Sequence, residues 1–210
     1  MSLKLFDTVP DFTQSSSQGL LRFYDYAGDD WVILFSHPAD FTPVCTTELG
    51  AAAKLEDEFA TRGVKLLGLS VDTAERHDAW AADIADTQGQ APGFPIIADA
   101  DRSVSQALDL IHPKASDTNT VRSVLVIDPA RKLRLTLTYP ASTGRDFDEL
   151  LRVVDSLQLT DKHKVATPAD WRQGDDVIIV PSVDDEAASA LFPDGWTTVR
   201  PYLRTVKQPG

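Results

Sequence analysis

Residues 31–49 decide the fold and read Trp-Val-Ile-Leu-Phe-Ser-His-Pro-Ala-Asp-Phe-Thr-Pro-Val-Cys-Thr-Thr-Glu-Leu. The first part, Trp31–Ser36, is a short apolar run typical of a buried strand. Thr42 is a natural N-cap, and Pro43 suits the first helical position because its missing N–H costs nothing there. This stretch predicts a strand, a polar turn and a helix with Cys45 in its first turn.

Further apolar runs on both sides of this stretch alternate with segments of helical period. The predicted strands are residues 64–71, 94–98, 121–127 and 133–138, and the predicted helices are residues 43–61, 73–86, 103–108 and 146–159. This order predicts an α/β protein with a mixed central sheet flanked by helices, a thioredoxin-like fold.

The composition changes after Thr160, where Lys162-His163-Lys164 and Thr167-Pro168 precede an apolar run at 177–180 and a helical segment at 184–191. We predict a main domain of residues 1–163 and a small C-terminal α+β domain of residues 164–210. A segment of about 45 residues buries little surface alone, so we expect it to pack on the main domain or on a partner subunit.

The formal net charge of −12, without any Lys/Arg run, opposes binding to nucleic acids or to anionic membranes. No apolar run approaches the ~18 residues that a membrane span needs, and residues 1–7 lack the apolar core of a signal peptide. We expect a soluble, unsecreted, cytoplasmic protein without stable membrane association.

The chain has a single cysteine, so no intrachain disulfide and no cysteine-rich metal cluster can form. Its four histidines are His37, His77, His112 and His163, and they lack the spacing of metal ligands. We therefore expect no metal and no bound cofactor.

A sulfur in the first turn of a helix lies near free backbone N–H groups and the positive end of the helix dipole, which favours the thiolate. Without context, a lone cysteine such as Cys45 is more often a small buried hydrophobe. The strand, the polar turn and the capped helix favour a reactive Cys45 instead.

Pro38, Thr42 and Cys45 have the spacing Pro-x-x-x-Thr-x-x-Cys, which resembles the active-site motif of peroxiredoxins. The wider resemblance is to the 1-Cys peroxiredoxin subfamily, and it is carried by residues 36–38, 41–49, 94–97, 139–140, 143–145 and 165–168. It implies a thioredoxin-like homodimer, with the C-terminal domain at the interface, that reduces hydrogen peroxide and organic hydroperoxides.

The resemblance also implies roles for individual residues. Cys45 is the expected peroxidatic nucleophile, Thr42 bonds the peroxide and the sulfur, and Pro38 shields the pocket from water. Arg122 matches the arginine that holds the thiolate and polarises the peroxide, and His37 is expected to deliver protons or to control thiol ionisation. From the residues alone, Arg122 is equally a surface charge at a strand start, and His37 a structural histidine.

Glu48 lies one turn beyond Cys45, where it is able to meet Arg122 or Arg145 and orient their guanidinium groups. We therefore add Glu48 and Arg145, with Pro38, to the expected substrate-binding residues. The alternative for Glu48 is an exposed helix glutamate.

With only Cys45 available, the sulfenic acid formed by a peroxide must be resolved by another molecule. Glutathione, a thioredoxin-like dithiol and ascorbate are the candidates that the family offers, and excess peroxide should drive Cys45 to sulfinic acid.

Three other functions remain to be weighed. A redox sensor shares the sulfenic step but oxidises once per chain, whereas a peroxidase turns over. A cysteine-protease or acyl-transfer site needs a base and an oxyanion hole, for which only His37 is visible. The third function is the phospholipase activity described for the mammalian 1-Cys relative, which has a lipase-like Gly-x-Ser-x-Gly segment. Residues 28–32 match that segment but lack its serine and final glycine, and the associated histidine and acidic residue align with Tyr24 and Ala130. We therefore expect no phospholipase activity by that mechanism.

Overall fold

Strand β3, Trp31–Ser36, lies in the interior of a seven-stranded sheet in the computed structural model, which describes residues 3–210. All six residues of β3 are buried. The strands of this sheet are β1 Thr13–Ser16, β2 Gly19–Arg22, β3 Trp31–Ser36, β4 Val64–Ser70, β5 Ile96–Ala98, β6 Arg122–Ile127 and β7 Leu133–Tyr139. Their spatial order is β2-β1-β5-β4-β3-β6-β7.

The sheet is mixed, as predicted. β3, β4 and β5 run parallel, while β6 is antiparallel to β3 and β7 is antiparallel to β6. Parallel strands need crossover connections, and the helices between these strands supply them. The carboxyl end of β3 therefore opens into the turn that carries Cys45.

The helices of this part of the chain are α1 Phe23–Ala27, α2 Pro43–Lys54, α3 Glu56–Thr61, α4 Ala74–Gln88 and α5 Ser103–Ala107. The sequence predicted one helix over residues 43–61, but Leu55 leaves helical geometry, with φ −101° and ψ 4°, and divides it into α2 and α3. Helix α2 passes α4 closely at Gly50, where an added Cβ would lie 2.5 Å from the side chain of Gln88.

The chain divides into two units, one ending at Phe147 and the other running from Asp148 to Gly210. The division falls at the start of helix α6, Phe147–Lys162, which is grouped with the second unit. The domain boundary at residues 163/164 stays a prediction.

The second unit contains a four-stranded sheet of order β10-β11-β9-β8. Its strands and its further helix are β8 Val165–Ala166, β9 Val177–Ile179, α7 Asp185–Leu191, β10 Thr197–Arg200 and β11 Leu203–Val206. Trp171, Val177 and Phe192 belong to its own buried apolar cluster. Within the described residues, no helix is both long and apolar enough to cross a membrane.

Candidate active site

Cys45 is the third residue of α2, directly after the polar turn that leaves β3. Pro43 is the first residue of that helix, and Thr42 precedes it with an extended backbone, φ −115° and ψ 145°. The side chain of Cys45 is fully buried. Because the first N–H groups of a helix lack partners within it, the sulfur lies where the helix favours negative charge. The predicted first-turn cysteine is confirmed.

Thr42 occupies the predicted N-cap position, but its side chain makes no capping hydrogen bond. Its hydroxyl donates to the carbonyl of Ala39 at 2.8 Å and so closes the turn on itself. Its own carbonyl accepts from the backbone N–H of Thr46 at 3.0 Å. The hydroxyl bond therefore ties Thr42 to the turn, and the structure shows no bond from it to the sulfur among the described residues.

Arg122 faces the sulfur from the start of β6. Its Nη1 lies 3.2 Å from Cys45 Sγ and 2.6 Å from an oxygen of Glu48. Its Nε and Nη2 both donate to the carbonyl of Ala141, at 3.0 and 2.8 Å. Arg122 is only 3% exposed, which excludes the alternative of a surface charge.

Glu48 joins Arg122 to a second buried arginine. Arg145 donates to one carboxylate oxygen through its backbone N and its Nε, both at 2.8 Å, and to the other through Nη2 at 2.7 Å. Its Nη1 donates to the carbonyls of Ser36 and Ser123. Glu48 thus meets both arginines that the sequence proposed, and it is buried rather than exposed.

We call Arg122, Glu48 and Arg145 the arginine cluster. Burial alone would raise the pKa of Glu48, but the hydrogen bond and charge of Arg145, with the charge of Arg122, outweigh burial and lower it. Two guanidinium groups therefore share one carboxylate, which leaves a net positive charge. The sulfur of Cys45 is the group positioned to balance that charge.

A second buried group, which we call the histidine cluster, holds the turn before α2 and consists of His37, Asp40 and His77. One oxygen of Asp40 lies 2.7 Å from His37 Nε2, and the other lies 2.6 Å from His77 Nδ1. The cluster was not foreseen, because His37 and His77 are 40 positions apart in the sequence.

The pKa values of His37 and Asp40 are both shifted from their ordinary values. Burial lowers the pKa of His37, although the hydrogen bond and charge of Asp40 oppose the shift. Burial would raise the pKa of Asp40, but the bonds from the two histidines outweigh it and bring it to about 2. A neutral His37 beside an ionised Asp40 is the arrangement that follows.

The histidine cluster is also the one group in residues 3–210 whose geometry resembles a metal site, with potential ligand atoms within 4.8 Å of one another. Those atoms are hydrogen-bonded to each other, and all three side chains are sealed from solvent. The donor set is therefore already used within the protein.

The remaining predicted residue, Pro38, is partly buried in the turn between β3 and α2. Phe41, in the same turn, has φ 56°, and Arg76 lies over its ring at 5.1 Å. Trp80 of α4 packs against His37, with ring centroids 5.0 Å apart, and donates from Nε1 to the hydroxyl of Thr46. Helix α4 thus supports the turn on the side of the histidine cluster.

Sequence reasoning missed Asp40, His77 and the carbonyl of Ala141. Asp40 stands inside the quoted stretch, so its position beside His37 was a usable signal. His77 and Ala141 reach the site only through the packing of α4 and of the segment after β7, and nothing local marks them.

The fold and the site define the class: a thioredoxin-like protein whose single thiol is buried at a helix start against a guanidinium group. The family model described as the AhpC/TSA family matches residues 6–136, and the C-terminal domain of 1-Cys peroxiredoxin matches residues 156–195. The chain belongs to the AhpC/TSA family and, within it, to the 1-Cys peroxiredoxins. Members of this family are thiol-dependent peroxidases, and the predicted enzyme class is confirmed.

Relatives cover nearly the whole chain. A 1-Cys peroxiredoxin of Dictyostelium discoideum is 54% identical over 99% of this chain and 86% of its own length. Peroxiredoxin-6 of Gallus gallus is 50% identical over 99% and 98%.

Solved structures confirm the predicted fold class. A cysteine-to-serine mutant of peroxiredoxin 6 from Arenicola marina is 44% identical, with a TM-score of 0.92 over 99% of both chains. A yeast mitochondrial 1-Cys peroxiredoxin, described with thiol resolution through the glutathione and thioredoxin systems, is 48% identical, with a TM-score of 0.92 over 98% of this chain and 99% of that one.

Proposed function

We propose that Cys45 is the peroxidatic nucleophile of this peroxidase and that Arg122 stabilises the charge that develops as the O–O bond breaks. The observation that carries the proposal is the 3.2 Å contact between Arg122 Nη1 and Cys45 Sγ, beside a net positive arginine cluster. The Cys45 thiolate attacks one peroxide oxygen, an S–O bond forms, and the alkoxide or hydroxide leaves and takes up a proton. Cys45 is then a sulfenic acid.

The donors of Arg122 support this role. Its N–H groups serve the sulfur, Glu48 and, through Nε and Nη2, the carbonyl of Ala141. A guanidinium has five N–H donors, so one at Nη2 has no partner among the described residues. That donor is available to a peroxide oxygen, where it is worth most as the oxygen gains charge.

The other predicted residues have supporting parts in the proposal. Thr42 contributes its hydroxyl once it turns from Ala39 towards the peroxide, and Pro38 shields the sulfur from water. Glu48 and Arg145 orient Arg122, while His37 serves in proton delivery. Of these, Arg145 is tied to Glu48 and to two carbonyls, which supports orientation more than direct substrate binding.

The reductant has to come from outside, since Cys45 is the single cysteine. Two external thiol groups reduce the sulfenic acid, giving back the Cys45 thiol, one disulfide and water. Glutathione or a thioredoxin-like dithiol fits this step, and ascorbate is a further candidate. We also propose a homodimer, with the C-terminal domain at its interface, in the cytoplasm.

The test is to treat the protein with one equivalent of hydrogen peroxide, trap with dimedone and locate the adduct by mass spectrometry. We expect one adduct per chain, on Cys45, and consumption of many equivalents of peroxide once a thiol is supplied. An adduct without turnover under any thiol would favour the redox sensor, and no adduct would refute the role of Cys45.

A further inference from the structure

The histidine cluster is buried beside the site, yet the proposed peroxide chemistry assigns nothing to Asp40 or His77. Asp40 is 1% exposed and both histidines are fully buried. A buried carboxylate must be compensated by hydrogen-bond partners, because removing an unpaired charge from water costs free energy. The positions of the protons in the cluster show how the Asp40 carboxylate is compensated.

The proton on His77 Nε2 is fixed by a backbone carbonyl. His77 Nε2 lies 3.2 Å from the carbonyl oxygen of Ile97, in β5. A carbonyl oxygen only accepts, so Nε2 must carry a proton and donate it. His77 Nδ1 faces Asp40 at 2.6 Å, and that contact also needs one proton between the two atoms.

Asp40 is ionised at neutral pH, since the bonds from His37 and His77 keep its pKa low against the effect of burial. The Asp40 carboxylate therefore accepts at both of its oxygens, and the oxygen that faces His77 is held by Nδ1 of that ring. The other oxygen of Asp40 is left to accept from His37 Nε2 at 2.7 Å.

His37 is consequently left with a lone pair on its other nitrogen. His37 Nδ1 is buried, and it has no hydrogen-bond partner among the described residues. An unpaired buried acceptor is uncommon in folded proteins and calls for an explanation. The ring belongs to the turn that leads to Cys45, and it packs on Trp80, which in turn bonds Thr46.

Asp40 also fixes the backbone of this turn. Its N–H donates to the carboxylate of Asp72 at 2.9 Å, and its carbonyl accepts from Arg76 Nη2 at 3.3 Å. The next residue, Phe41, is held at a positive φ of 56°, where a side chain is strained. Residue 40 is thus bound through both its backbone and its side chain.

We infer that Asp40, paired with His77, is a positioning residue that keeps the proton of His37 on Nε2 and leaves its Nδ1 free to accept, as the proton delivery proposed for His37 requires. This inference rests on the proposed function, because it acts through His37 in the same reaction. The charged groups that face the cluster are Asp72, Arg76 and, further away, Arg145.

The direct test is imidazole ¹⁵N NMR of the reduced wild-type protein at neutral pH. We expect His37 to be protonated at Nε2 only. A proton on Nδ1 of His37 would overturn the inference. Since this readout needs no peroxide, it decides the inference even if the protein were to show no peroxidase activity.

Two variants connect the tautomer with the reaction. Asp40→Asn is able to keep both bonds, with its oxygen accepting from His37 and its amide donating to His77 Nδ1. The carbonyl of Ile97 favours that orientation, because it leaves the single proton of His77 on Nε2. Asp40→Ala removes both bonds.

In single-turnover oxidation of Cys45 by hydrogen peroxide, Asp40→Ala should lower the rate about tenfold or more. Its NMR spectrum should show Nδ1 protonation in part of the His37 population. Asp40→Asn should keep the wild-type His37 tautomer and a rate within about threefold of the wild type. An unchanged rate in folded Asp40→Ala, or equal losses in both variants, would overturn the inference.

The matched control is Asp99→Asn. Asp99 is also a fully buried carboxylate; it accepts from the backbone N–H groups of Val104 and Ser105, and within the described residues it makes no hydrogen bond to the histidine cluster. We expect it to lower stability without altering the His37 tautomer or the oxidation rate. If Asp40→Ala does not fold, the wild-type and Asp40→Asn spectra still decide the matter.

Discussion

The arginine cluster and the histidine cluster each bury one carboxylate between two basic side chains. In the first, both bases are guanidinium groups that keep their charge, so one positive charge is left over. In the second, the bases are imidazoles, each of which offers one ring nitrogen to the carboxylate. The comparison indicates that a permanently charged guanidinium group is placed against the sulfur, whereas imidazole rings hold the turn.

The largest effect should come from Glu48→Gln, which removes the carboxylate shared by two buried guanidinium groups. We expect a loss of about 3–5 kcal/mol in the free energy of unfolding, measured by urea denaturation. Glu75, an exposed glutamate in the first turn of α4, gives the control Glu75→Gln, expected to change stability by no more than about 1 kcal/mol, the usual limit for a surface charge at a helix start. Similar small losses in both variants would show that the arginine cluster does not depend on its carboxylate.

Arg122→Met should leave a balanced pair of Glu48 and Arg145, and therefore cost less stability than Glu48→Gln. Its effect should fall on the reaction instead. We expect Cys45 oxidation to slow by about 10²–10³-fold, even at a pH where the thiolate is fully formed, because charge on the departing oxygen is no longer stabilised. Stopped-flow measurement against peroxide checks this.

Arg22→Met is the control for that rate, since the Arg22 side chain is 55% exposed and its ion pairs within residues 3–210 are with Asp11 and Asp25. It should oxidise at the wild-type rate. An unchanged rate in Arg122→Met would leave Arg122 as scaffold.

The smallest effect concerns the pH dependence of the histidine cluster. Because burial lowers the pKa of His37, the unfolded chain binds its proton more readily than the folded chain. Stability is therefore lost as pH falls below about 6.5, by at most about 1.4 kcal/mol per pH unit. His37→Gln should flatten this slope in urea titrations. Equal slopes in His37→Gln and the wild type would contradict the assignment of a neutral His37.

The central sheet could be predicted because its strands are continuous apolar runs bounded by turns, and Trp31–Ser36 was placed to the residue. Strand β1 was missed because Thr13–Ser16 is wholly polar, and β2, Gly19–Arg22, because it has only four residues. The end of α2 at Leu55 was missed because the apolar helical pattern continues through it.

The site divides in the same way. Cys45, Thr42 and Glu48 follow from local helix geometry and the family motif, which fix residues close in sequence. Asp40 and His77 are held together by tertiary packing alone, and the choice of Thr42 to bond Ala39 is decided by the shape of the turn. Long-range partners of this kind leave no periodic signal in one sequence.

Gly50 helps to fix the position of the reactive sulfur, although it lies outside the active site. It lies five residues beyond Cys45, about 7.5 Å along the helix axis, where the missing Cβ lets α2 settle against Gln88. A methyl group added at Gly50 would clash with the side chain of Gln88. Helix α2 would then have to shift away, and Cys45 would lose its alignment with Arg122. The close packing of α2 against Gln88, and with it the position of Cys45, thus depends on the lack of a side chain at residue 50.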